Sequence, residues 1–255
     1  MKRISTGVKG LDEMLVGGFP FGRSILVCGG PGSGKTVLGI QFLCKGIVEH
    51  NESGLYVSLD ESAEHLKQDM SAFGWNLEKL EGKQKLGIVD ASPIRTIPGE
   101  VKIGELKIGK RDFSLVSLIE IVKSRVEEIK AKRIVVDPLT TLIVQYPDIS
   151  ERRNAVIDLL EAITSLGTTN IMTTENRATA LGRKVTAEEF LAHGVIILHA
   201  VHEGRELVRA LQIEKMRGIP HDHEIRPYRI TDEGIAVYSR ETPIAVPTEA
   251  ATTLT

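Results

Sequence analysis

Hydrophobic positions in this chain follow two alternating patterns. Short, largely apolar runs, Ser24 to Cys28, Gly54 to Leu59, Lys85 to Ala91 and Arg133 to Asp137, have the length and texture of buried strands, and Thr169 to Thr174 reads as a further strand. Between them lie stretches with helical spacing. Lys35 to Glu49 is apolar on most sides, and Ala63, Leu66, Met70 and Phe73 form a stripe between a capping Ser62 and a terminating Gly74. Leu115, Leu118, Ile119, Val122, Val126 and Ile129 form another stripe, and Val156, Leu159, Leu160, Ile163 and Leu166 a further one that ends at Gly167. Strand and helix in alternation predict βα units and a mostly parallel sheet flanked by helices. The texture then changes to successive strand-like runs, Gly194 to Val201, Glu206 to Lys215, Arg226 to Ile230 and Ile235 to Tyr238. These predict an antiparallel C-terminal extension.

Composition narrows the picture. With 42% hydrophobic and 26% charged residues in 255, the chain has the balance of a packed globular protein. No apolar run approaches the roughly 18 residues that cross a bilayer, and the charged start Met1-Lys2-Arg3 is followed by no apolar segment of the kind a secretory signal has. The two cysteines, Cys28 and Cys44, read as buried thiols, so the cytoplasm is the expected location. A net charge of −2 argues against general charge-driven binding to nucleic acid. Residues 1–240 read as one α/β domain with a surface insertion from Pro93 to Arg111, and 241–255 as a disordered tail.

The strongest chemical signal is Gly29-Gly30-Pro31-Gly32-Ser33-Gly34-Lys35-Thr36, set between an expected strand and an expected helix. Glycines let backbone N–H groups close around an anion because no Cβ intervenes. Gly30, Pro31, Gly32, Ser33, Gly34, Lys35, Thr36 and Val37 are therefore the candidate triphosphate contacts. Lys35 would reach the β- and γ-phosphates, and Thr36 would ligate Mg²⁺. A dinucleotide fingerprint fails, because a frame opening at Gly30-x-Gly32 meets Lys35 where its third glycine belongs. Strand ends of a parallel sheet gather at one edge, which brings in Asp137 as the second metal ligand. Asp60 and Glu61, after the second strand, reach the same edge; there a carboxylate can activate water, or simply favour the start of the next helix. Glu175, at another strand end, is a candidate sensor of the γ-phosphate or a carboxylate paired with a nearby base. Trp75 reads as core.

Beyond the glycine loop, the chain carries Ser5-Thr6-Gly7-Val8-Lys9-Gly10-Leu11-Asp12, Gly17 to Arg23 and Tyr56 to Ser62. Phe73 to Leu77, Asp90 to Pro93, Met172 to Glu175, and Lys215-Met216-Arg217-Gly218 with His221 follow, up to about Tyr238. Through these segments the chain resembles the KaiC branch of the RecA-type ATPases. The resemblance implies a RecA-like P-loop core that binds ATP with Mg²⁺ and hydrolyses it. It implies Glu61 as general base with Asp60 as helper, Asp60 standing where the family has Glu. It further implies a homo-oligomer, a hexameric ring, in which Lys215 and Arg217 reach the γ-phosphate held by the neighbouring subunit and His221 lies near that nucleotide. Coupling of nucleotide state to a protein partner is expected on the same ground. His221-Asp222-His223 lacks the further ligand that a structural metal site needs. Where family members that phosphorylate themselves carry an adjacent Ser and Thr, this chain has Phe190-Leu191-Ala192-His193. Kinship with recombinases raises single-stranded DNA binding through the loop Asn176 to Glu189, which carries Arg177, Arg183 and Lys184 but no aromatic platform. A third possibility is a signalling scaffold in which nucleotide only holds the assembly together.

Overall fold

The computed structural model describes residues 1–92, 101–103, 106–108, 110–146, 148–175, 178–179, 182–183, 185–203 and 206–242. The expected tail falls almost wholly outside them. Strand β1 (Arg3–Ile4) pairs with β2 (Phe19–Pro20) around the short helix α1 (Leu11–Met14). Then come β3 (Ser24–Gly29), α2 (Lys35–His50), β4 (Gly54–Ser58), α3 (Ala63–Ser71), α4 (Leu77–Gly82) and β5 (Leu86–Asp90). The hairpin β6 (Val101–Ile103) with β7 (Leu106–Ile108) lies in the stretch read as an insertion, and α5 (Lys110–Ile129) starts ahead of its apolar stripe. β8 (Arg133–Asp137), α6 (Leu139–Ile143), α7 (Ile149–Ser165) and β9 (Thr169–Glu175) follow. The two-residue strands β10 (Ala178–Thr179) and β11 (Gly182–Arg183), and α8 (Ala187–Leu191), lead into β12 (Gly194–Glu203), β13 (Glu206–Met216), β14 (Arg226–Thr231) and β15 (Gly234–Val237).

Nine strands form one sheet in the order β15-β14-β13-β12-β3-β9-β8-β4-β5. From β12 to β5 every neighbour is parallel, and from β12 to β15 every neighbour is antiparallel. The expected α/β architecture is therefore the observed one. Alternation along each strand sends side chains to opposite faces. Ile25, Val27, Tyr56, Val135 and Ile171 pack with α2, α3 and the N-terminal segment, while Leu26, Cys28, Val57, Ile134 and Val136 pack with α5, α6 and α7. Both faces being covered, the central strands read as unbroken apolar runs. Each fully buried aliphatic side chain contributes about 1.5–3 kcal/mol, so these strands form the rigid floor of the site.

The antiparallel extension folds back onto α2. Gln41 donates to the carbonyls of Gly7 and Ile235 and accepts from the Ile235 N–H. Tyr228 donates its hydroxyl proton to the Ser33 carbonyl at 2.6 Å. The extension thus braces the glycine loop from the side. At the other edge Arg133 is wholly buried: it pairs with Glu52 at 2.7 Å, donates to the carbonyls of Ser5 and Phe42, and lies over the Phe42 ring. Among the described residues no helix is long and apolar enough to cross a membrane.

Candidate functional site

The glycine loop leaves β3 and enters α2 through Gly34, whose φ of +86° belongs to the left-handed region. A Cβ there would lie 2.9 Å from Ile230 Cδ1, and one on Gly29 would lie 2.4 Å from Ser33 Oγ. Around Gly30 and Gly32 a Cβ would meet nothing within 4 Å, so the mouth of the loop is open. Helices α3, α4 and α7 have side-chain caps from Ser62, Asn76 and Asp148, whereas α2 has none and carries no acidic residue in its first turn. Its uncompensated amide dipoles favour an anion at that end. The Lys35 ammonium lies on the loop, donating to the carbonyls of Gly29 at 2.9 Å and Gly30 at 3.1 Å. Burial pushes its pKa below the ordinary lysine value, and the carboxylates of Asp137 and Glu175 act in the opposite sense. Arg209, on β13, points Nε and Nη2 at the Gly32 carbonyl, both at 3.3 Å.

Beside the loop, Thr36 donates to Asp137 Oδ2 at 2.6 Å. The same oxygen accepts the Tyr56 hydroxyl at 2.6 Å, and Oδ1 accepts the hydroxyl of Thr173. A hydroxyl and a carboxylate in contact are hard oxygen donors of the type Mg²⁺ takes, so the residues present fit that ion. Asp137 is only 6% exposed. Its three hydroxyl partners come from α2, β4 and β9 and keep the buried charge satisfied. Sequence spacing did not single out Tyr56 or Thr173; the first sits in an apolar run and the second among the other threonines of β9, and only the adjacency of β4, β8 and β9 joins them to Asp137.

β4 delivers Asp60 and Glu61 to this edge, as expected. Leu59 N–H donates to the Asp137 carbonyl at 2.8 Å, which ties the two strand ends together. Ser58 Oγ accepts the Glu61 N–H and donates to the Glu61 carbonyl, fixing the backbone of the turn before Ser62 caps α3. Glu61 is partly buried and Asp60 exposed. Burial holds the Glu61 carboxyl above the ordinary glutamate range, helped by the charges of Asp69 and Asp137. Glu175 ends β9 with its N–H bound to Thr140 Oγ1, which also contacts Thr174 Oγ1. Val37 is half-buried against the core, and Trp75 stacks on Phe73 at 5.2 Å.

Lys215, Arg217 and His221 do not join this chain's own cradle. Lys215 pairs with Val195, which pairs with Leu26, whereas the loop begins at Gly29 opposite Leu198. Three residues of strand span ~10 Å, so the cations sit toward the opposite edge of the sheet. There Lys215 donates to the carbonyl of Glu189 at 2.6 Å and Arg217 to that of Phe190 at 3.0 Å. Burial and then the charges of Arg23, Arg217 and Lys215 lower the pKa of the adjacent His193. His221 Nδ1 lies 3.3 Å from the Ile219 carbonyl, its ring against His223. Among the described residues no group of three His, Cys, Asp or Glu could hold a metal. Of the loop Asn176 to Glu189, Asn176, Arg177, Ala180, Leu181 and Lys184 lie outside the described residues, as does the side chain of Arg183.

The strand order, the glycine loop and the Thr36–Asp137 pair define a P-loop protein of the RecA-like type. Residues 4–242 match the family described as "ATPase: KaiC", and the chain belongs to that family. It is 36% identical over 245 residues to a UPF0273 protein of Methanocaldococcus jannaschii, covering 93% of this chain and 97% of that one. It is equally 36% identical to the circadian clock oscillator protein KaiC of Synechococcus elongatus over 92% of this chain, but spans only 44% of that protein's length. A crystal structure of a KaiC-like protein from Pyrococcus horikoshii OT3 superposes with a TM-score of 0.78 at 33% identity, covering 93% of this chain and 99% of the other.

Proposed function

We propose that this protein is a Mg²⁺-dependent ATPase, one domain from residue 1 to about 240, that works as an oligomer with nucleotide held between subunits. The observation that carries the reading is the convergence of the Lys35 loop, the Thr36–Asp137 pair and Glu61 on one sheet edge. Gly30 to Val37 wrap the phosphates, and the Lys35 ammonium exchanges its two loop carbonyls for phosphate oxygens. Thr36 and Asp137 hold Mg²⁺, which supplies charge neutralisation across the phosphates. Glu61, made more basic by its surroundings, takes the proton of the attacking water, and Asp60 assists from the exposed side. Glu175 reports the γ-phosphate through its link to Thr140. The ATP choice rests on family membership, because a P-loop contacts phosphates and not the base.

The assembly follows from the cations. Lys215 and Arg217 crowd one another and His193 at the far edge, and a neighbour's anion would relieve that repulsion. We therefore assign them, with His221, to the adjacent subunit's nucleotide. The likeness to KaiC suggests a hexameric ring and a protein partner. The test is ATP turnover and nucleotide binding by wild type, Lys35→Ala and Arg217→Ala. Lys35→Ala should abolish both, and Arg217→Ala should abolish turnover while its subunits still bind nucleotide. Background turnover in the wild type would refute the enzymatic reading.

A further inference from the structure

Tyr56 has the ring of a core residue and a hydroxyl that the core does not need. It is 2% exposed and packs on the α2 side of the sheet, where phenylalanine would fill the same space. Its hydroxyl, however, donates to Asp137 Oδ2 at 2.6 Å, the oxygen that also accepts the Thr36 hydroxyl at 2.6 Å. Thr173 grips Oδ1 from the opposite side. The three strands lie side by side, with Tyr56 opposite Val135 and Ser58 opposite Asp137 in the β4–β8 register. The carboxylate is thus held by a residue from each neighbouring strand.

This grip decides what Thr36 can offer. A hydroxyl has one proton and two lone pairs. With its proton committed to Asp137, only lone pairs remain, which is the face a cation takes. If the carboxylate turned away, the Thr36 proton would be free to point at the cation instead. Two further hydrogen bonds to the carboxylate oppose that turn, and hydrogen bonds to an ionised group are about twice as strong as neutral ones.

We propose that Tyr56 is a positioning residue for the metal half of the site, its hydroxyl holding the Asp137 carboxylate in the orientation that takes up the Thr36 proton. The inference rests on the nucleotide and Mg²⁺ reading given above. The test is a Mg²⁺ titration of the binding of a fluorescent, non-hydrolysable ATP analogue, with a parallel measurement in EDTA. Tyr56→Phe, which keeps the ring, should raise the Mg²⁺ midpoint by about tenfold, the scale of one lost hydrogen bond to a charged group. Analogue affinity in EDTA should stay within about twofold. Thr173→Val, which loosens the carboxylate from the other side, should move the midpoint in the same direction, and it carries the test if Tyr56→Phe does not fold. An unchanged midpoint in these variants overturns the proposal, as does a loss of affinity equal in EDTA and in Mg²⁺, which would mark a merely structural role. Absence of Mg²⁺-dependent analogue binding in the wild type would instead refute the underlying reading, before any variant is compared.

Discussion

The proposal that Glu61 activates water, with Asp60 only assisting, can be decided by two isosteric substitutions, Glu61→Gln and Asp60→Asn. The structure separates them: Glu61 is partly buried with its backbone fixed on Ser58 Oγ, and Asp60 is exposed. Since the backbone bonds of Glu61 do not involve its carboxylate, the Gln variant should keep its stability within about 0.5 kcal/mol. Removing a positioned general base costs ~10²–10⁴ in rate, so turnover should fall by that factor, a rise in barrier of about 2.7–5.5 kcal/mol. Nucleotide affinity should change by less than about threefold, because the carboxylate acts on the water and not on the bound phosphates. Asp60→Asn should cost less than about tenfold, since an exposed carboxylate is screened by solvent. The pH profile adds a second handle. Burial, with Asp69 and Asp137, raises the Glu61 pKa above its ordinary 4.5. The base works ionised, so turnover falls as the carboxyl takes up a proton, and a raised pKa puts that acid limb above pH 4.5. Asp69→Asn removes a like charge and should move the limb down. Single-turnover hydrolysis followed from about pH 4 to 9, which spans the acid limb and the neutral range, reads all three variants. A Glu61→Gln enzyme near wild-type rate, with Asp60→Asn crippled, would refute the assignment.

Further outcomes follow from the same contacts. Gly34→Ala forces a side chain into φ +86° against Ile230; at about 1–2 kcal/mol for the left-handed conformation and ~2–4 °C per kcal/mol, differential scanning fluorimetry should show a Tm loss of roughly 2–8 °C. Arg133→Met leaves the Ser5 and Phe42 carbonyls and Glu52 without their partner, which should cost about 3–5 kcal/mol in urea unfolding; a loss under about 1 kcal/mol would mean the buried guanidinium is replaceable by packing alone. Equimolar mixing of the separately inactive Lys35→Ala and Arg217→Ala proteins should restore turnover at interfaces that join an intact loop to an intact cation pair. No recovery after subunit exchange would count against action between subunits.

The sequence made the parallel core legible because strands covered on both faces must be apolar throughout, as Ile25 to Cys28 and Ile134 to Val136 are. α2 was legible for the same reason, and the Ser62 cap of α3 because Ser62 Oγ accepts the His65 N–H as a local motif does. What escaped was short or assembled at a distance. β1, β2 and α6 are too brief for a period to develop, and α4, although capped by Asn76, has only Leu77 buried. The grip on Asp137 escaped for a different reason. Tyr56 and Thr173 sit 81 and 36 residues from Asp137 along the chain, and nothing in either local pattern states that β4 and β9 flank β8.

If Lys215 and Arg217 act on a neighbour's nucleotide, as proposed above, the two ends of the sheet carry complementary halves of the chemistry, and the fold is linked to assembly. Gly29, Ser58, Asp137 and Glu175 all terminate parallel strands at one edge, and that edge carries the anion-binding loop and the acidic residues. β13 runs antiparallel to β12, so its C-terminal end, with Lys215, is returned to the other edge. An all-parallel sheet would have delivered those cations beside the chain's own phosphates, where they would strengthen binding without any need for a neighbour. Reversing one strand separates them from the chain's own loop, and on the proposed reading the arginine would then serve only a second copy. Such a contact would join unlike surfaces, cradle to cation, and so would propagate head to tail until it closed. In this fold the antiparallel extension braces the loop, through Tyr228 and Ser33, and on the proposed reading it would also present the surface by which the next subunit's site is completed.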